Sequence, residues 1–131
     1  MGADTTAGPR LIDYLVRMGH APFSFPTPDG YPDEATPWLG TMLWRWNFAV
    51  ALAGNRIQGT HVDLPQLGQA LGAKDGEAAV ETFMRYLLGR QPTVAESTAI
   101  FKYLGQSEAG PGERRTEAVG LLLASPGFQR C

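Results

Sequence analysis

The sequence predicts an all-α domain, a single compact bundle of about six short helices with an ordered proline-rich loop between the first two. Apolar residues recur at helical three- and four-residue spacing in successive segments of the chain. No segment of more than about four residues alternates apolar with polar, so a sheet has little support. The 16 glycines and 10 prolines among 131 residues punctuate these segments, as expected for short elements joined by turns. A chain of this length buries one core, so residues 1–131 are expected to form one domain, with residues 1–8 disordered.

In "PRLIDYLVRMG" the apolar Leu11, Ile12, Leu15 and Met18 share a helical face, with Pro9 near the start and Gly19 suited to the stop. Residues 20–40 carry Pro22, Pro26, Pro28, Pro32 and Pro37. Each lacks an amide donor and disfavours helix at the preceding residue, which predicts an ordered loop with a turn at "PDG". The second helix runs from Thr41 as N-cap to Gly54 as a left-handed stop. Its Met42, Leu43, Trp44, Trp46, Phe48, Val50 and Leu52 leave no wide polar face. That pattern predicts a helix covered on several sides, with residues 41–53 at the centre of the bundle.

Asp63 is a candidate N-cap for a short third helix, with Gln66 three residues on and Gly72 as its stop. The fourth, "GEAAVETFMRYLLG", puts Val80, Phe83, Met84, Leu87 and Leu88 on one stripe, with Glu81 and Arg85 paired opposite. Thr93 and Glu96 have capping-box spacing for a fifth helix, where Val94, Thr98, Phe101 and Leu104 share a face. "GQSEAGPGE" reads as a linker, and a sixth helix from about residue 113 to 124 turns Val119, Leu122 and Leu123 inward before Pro126 ends it.

Composition excludes several function classes. The net charge is −2 and the cations are scattered apart from Arg114 and Arg115, so no patch is ready to neutralise phosphates, and no nucleic acid is expected. The single cysteine, Cys131, rules out an internal disulfide and every cysteine-based metal cluster. No apolar run approaches a membrane span, and the N-terminus lacks an export signal. His20 and His61 with Asp29, Asp33, Glu34 and Asp63 match no metal-ligand spacing, so no metal and no cofactor is expected. The serines lie outside any nucleophile elbow, leaving no catalytic residue to name.

The loop and second helix carry the remaining chemistry. Arg45 and Asn47 sit in the most apolar helix of the chain, where a guanidinium must be paired or reach water. Arg45 is therefore expected to tie the loop to that helix, through Asp29, Asp33 or Glu34 or through loop carbonyls. Trp44 and Trp46 read as core and, with Arg45, Asn47, Asp29 and Asp33, as a structural hub. Phe23, Phe25, Tyr31 and Trp38 are the candidate contact residues, because a loop stiffened by prolines loses little entropy on binding and aromatic side chains are favoured anchors.

Four stretches, "MGHAPFSFPTPDGYPDEATPWL", "LWRWNFAVALA", "LLGRQPTVAE" and "LLLASPGFQ", resemble the C-terminal portion of the bacterial family catalogued as domain of unknown function 1800. The resemblance covers about residues 11 to 129. Family members are several times longer and many carry an export signal. The family brings no established activity or catalytic residues, and it implies that this piece packs on a larger domain and exposes an apolar patch when alone. The expectation is a non-enzymatic interaction or scaffold domain, taking a protein partner or a second copy of itself. Its rival is a ligand-binding or enzyme fragment with a pocket between the 20–40 loop and helix 41–53, where Asp29, Asp33, His20 and Arg45 would supply the polar groups.

Overall fold

A computed structural model describes residues 3–6, 8–21, 23–31, 34, 40–73 and 76–129. In chain order the elements are β1 (Ala3–Thr5), α1 (Pro9–Arg17), α2 (Met42–Ala53), β2 (Thr60–Val62), α3 (Leu64–Ala70), α4 (Glu77–Leu88), α5 (Val94–Gln106), α6 (Pro111–Ala124) and α7 (Pro126–Gln129). The fold is predominantly helical, and local capping chemistry sets several boundaries as predicted, although Thr41 precedes α2 without a side-chain cap bond. Asp63 accepts from the Gln66 amide at 2.8 Å. Thr93 and Glu96 exchange both bonds of a capping box at the start of α5. The predicted stops at Gly19 and Gly72 take positive φ, and so does Gly89 after α4.

Three local expectations change. Gly54 stays at φ −84°, and the left-handed residue after α2 is Asn55, at φ +53°. Its side chain explains the choice: Nδ2 donates to the Val62 carbonyl at 2.9 Å and Oδ1 accepts from the Val62 amide at 2.6 Å, so Asn55 pairs with β2 as a strand residue would. The linker shrinks to four residues, because α5 continues through Gly105 and α6 begins at Pro111, where a missing amide costs nothing. Pro126, which ends α6, opens the short α7 for the same reason.

A sheet also forms. β1 and β2 pair antiparallel with Ala3 opposite Val62 and Thr5 opposite Thr60, so residues 3–5 are a strand rather than a disordered leader. Thr5 and Thr60 share a hydrogen bond between their hydroxyls at 2.8 Å, satisfying the buried Thr60. Two strands of three residues are too short to show an alternating pattern, and their pairing depends on contact across more than 50 residues of sequence.

The core corrects the role assigned to α2. Buried side chains from α2 (Ala49, Ala53), β2 (Val62), α4 (Val80, Phe83, Met84), α5 (Ile100, Leu104) and α6 (Ala118, Val119, Leu122, Leu123) form one cluster, and α6 packs against α2, α4, α5 and α7. The central helix is therefore α6. α2 buries only its three alanines, while Leu43 is 63% exposed, Trp46 46% and Val50 44%. Apolar residues all round a helix do not distinguish a covered face from an uncovered one. On α5 the inward residues are Ile100 and Leu104, with Val94 84% exposed.

Small residues set the α2–α6 distance. A Cβ placed on Gly120 would lie 3.6 Å from the Val50 Cα, 3.7 Å from the Ala53 Cβ and 3.8 Å from Val50 Cγ2, which is ordinary contact with no room beyond. Gly120→Ala therefore fits and raises stability by about 0.5–1 kcal/mol through helix propensity. Gly120→Leu forces the helices apart and costs about 1–3 kcal/mol. Thermal midpoints moving in opposite directions for the two variants are the check.

Candidate functional site

The start of the proline-rich loop is built on three rings. Tyr31 donates its hydroxyl to the Ala21 carbonyl at 2.5 Å, a bond between residues ten apart in sequence. Its ring stands edge-on to His20, with centroids 5.4 Å apart, and lies 4.8 Å from Phe25 at a 52° tilt. Both are favoured aromatic geometries. Arg45 reaches this cluster from α2: Nη2 is 3.5 Å from His20 Nδ1, and Nε donates to Thr41 Oγ1 at 3.2 Å. Because a guanidinium only donates, the contact requires a neutral imidazole with Nδ1 as acceptor.

Arg45 therefore contacts the loop at its start, through the His20 ring, where a loop carboxylate or carbonyl was the expectation. Asp29 and Glu34 are exposed, and Asp33 lies outside the described residues. Burial, and then the Arg45 charge, hold the His20 pKa below its ordinary value. Burial likewise lowers that of Arg45.

The other sequence candidates separate by exposure. Phe25 and Tyr31 are half-buried in the ring cluster, and Trp38 lies outside the described residues. Trp44 is half-buried, with the Arg17 guanidinium 4.5 Å from its ring centroid, and Phe48 one turn later meets Tyr14 at 5.6 Å. These contacts seat α1 on α2. Trp46 and Asn47 face outward with Leu43 and Val50, at spacings of three and four residues that define one helix stripe. The hub residues therefore divide: Trp44 and Arg45 hold the loop and α1, while Trp46 and Asn47 line an exposed face. Sequence reading did not select Leu43 and Val50 as surface residues, because an apolar residue in an apolar helix carries no sign of which side is covered.

Phe23 is fully exposed and holds φ +58°. A bulky side chain in the left-handed region costs about 1–3 kcal/mol, and no burial of its ring offsets that.

A second polar cluster joins two distant stretches of chain. Arg90 Nη1 and Nη2 donate to Glu96 Oε2 and Oε1 at 2.9 and 2.7 Å, and the Thr93 amide donates to Oε2 at 2.7 Å. Gly127 in α7 lies against this pair so closely that a Cβ there would collide with Glu96 Oε1. The Arg90 bonds, and after them that of the Thr93 backbone, lower the Glu96 pKa from 4.5 to about 2. The "GRQPTVAE" and "SPGF" stretches are thus in contact in the fold.

Among the described residues no three His, Cys, Asp or Glu side chains gather as a metal ion would require. No described helix is long and apolar enough to cross a membrane. Comparison with known families gives a match to "Protein of unknown function (DUF1800)" over residues 5–130. The chain belongs to the DUF1800 family. No curated protein and no solved structure matches it. Since DUF1800 is defined by sequence without an activity, the geometry must carry the functional reading.

Two titrations test the clusters. His20 has a depressed folded pKa, so its unfolded form binds a proton first as pH falls from 6.5, and the stability present above that pH is lost below it. His20→Gln should flatten the fall in thermal midpoint between pH 7.5 and 5.5. For Glu96 the stabilising contribution is complete above pH 4.5 and vanishes as pH falls through about 2. The gap in midpoint between wild type and Glu96→Gln should therefore narrow from pH 6 to pH 2.

Proposed function

We propose that this chain is a non-enzymatic interaction domain that docks a protein partner on the outer stripe of α2, with Phe23 as a further anchor. The carrying observation is the run of Leu43, Trp46 and Val50, between 44% and 63% exposed, beside the line along which Val50 and Ala53 meet Gly120 of α6. Contiguous exposed apolar side chains of this size favour association, and Trp is among the commonest energetic anchors of protein contacts. Asn47, within the stripe, supplies a hydrogen-bonding group that an apolar partner face would have to satisfy.

Phe23 supports the same reading from the backbone. Strain held without compensating burial is the pattern expected where a side chain is presented to something outside the chain. The resemblance of this chain to the C-terminal portion of longer bacterial proteins agrees with a face that meets another domain or subunit.

A photo-crosslinking amino acid in place of Leu43 should give one dominant protein adduct in cells, and the same probe in place of Lys102 on α5 should not. Trp46→Asp should abolish the adduct and leave the thermal midpoint within a few degrees of wild type. Equal, diffuse crosslinking from both positions would overturn the reading.

A further inference from the structure

The ends of α4, α5 and α6 enclose a cleft that the proposed docking face does not use. It holds about 590 Å³ and lies between Gly76 to Val80 at the start of α4, Phe101 to Gly105 of α5, and Pro111 to Arg115 of α6. This is within the range of small-molecule sites. Ala79, Val80, Phe101 and Leu104 supply apolar walls, and among the described residues the charged side chains lining it are Arg114, Arg115 and Glu77. The described lining therefore combines an apolar interior with two arginines and one glutamate.

We propose that this cleft binds a medium-chain carboxylate, the chain lying against Val80, Phe101 and Leu104 and the head group meeting Arg115. A guanidinium recognises a carboxylate through paired, charge-assisted hydrogen bonds, and apolar walls strengthen that attraction by keeping water away. Arg114 is fixed at the wall by Nε donating to the Ala109 carbonyl and Nη2 to the Ser107 carbonyl, both at 2.9 Å. It pins the 107–110 linker and so holds the cleft's shape. Arg115, half-buried beside it, is the head-group residue.

Gly105 is the second observation. It lies within α5, where glycine is a poor helix former, and a Cβ built on it meets no atom within 4 Å. Its φ is not in the left-handed range, so neither a turn nor a close approach requires glycine. Its effect is to leave the cleft wall without a side chain.

Octanoate is the probe and 1-octanol its uncharged counterpart, followed by methyl NMR on the full chain. Octanoate should shift the methyls of Ala79, Val80 and Leu104 to saturation. Gly105→Phe should weaken binding at least tenfold with a retained thermal midpoint. Arg115→Gln should weaken octanoate about tenfold and leave 1-octanol unchanged. Shifts centred on α2, equal affinity for acid and alcohol, or undiminished binding by Gly105→Phe would overturn the proposal. If the Phe variant loses its cooperative melt, Gly105→Leu is read in its place by the same criteria. The cleft and the α2 stripe share no residue, so a failure at one is distinguishable from a failure at the other.

Discussion

The approach of α2 to α6 through Gly120, Ala49 and Ala53 is the constraint on which the remaining packing depends. Small residues let the two helices approach closely, and α6 can then present Val119, Leu122 and Leu123 to the core while Gly120 faces α2. α4 supplies the largest buried side chains, Phe83 and Met84, to that core. Because α6 touches helices from both halves of the chain, it is the element that makes one body of them. α2 gains a fixed seat without being enclosed, which is why one of its faces can stay apolar and open.

The elements legible in the sequence were those governed by neighbours along the chain. The capping box at Thr93, the cap at Asp63, the stripe of α4 and the stop at Gly72 each need only a few residues to be recognised. What the sequence did not reveal depends on distance. The β1–β2 pairing and the contact of Gly127 with the Arg90–Glu96 pair are visible only once the chain is folded. Asn55 resembles any loop asparagine until its side chain is seen to pair with Val62. The centrality given to α2 failed for a related reason, since hydrophobic pattern reports how much apolar surface a helix has and not how much of it this chain covers.

The candidate site was legible to the same degree. Arg45 could be singled out because a cation in an apolar helix needs a partner, and His20 provides one described contact. The aromatic residues of the loop split into a packed set, Phe25 and Tyr31, and the exposed Phe23, a division decided by backbone conformation rather than residue type. Electrostatics then assigns different jobs to the two polar clusters. The Arg90–Glu96 pair sits at the surface and locks local geometry, whereas the Arg45–His20 contact is partly buried and sensitive to acidification.

The manner in which α1 is held has a consequence of its own. None of its residues from Pro9 to Arg17 is fully buried, and it rests on α2 through Tyr14 and the Arg17–Trp44 contact, with β1 before it and the buried Met18 after it. A helix anchored mainly at its ends and lightly along its length forms a separable unit, whose opening leaves the α4–α6 core intact. Such an opening would bare the sides of Trp44 and Phe48 that Arg17 and Tyr14 now cover. The amides of α1 should accordingly be among the earliest to exchange with solvent.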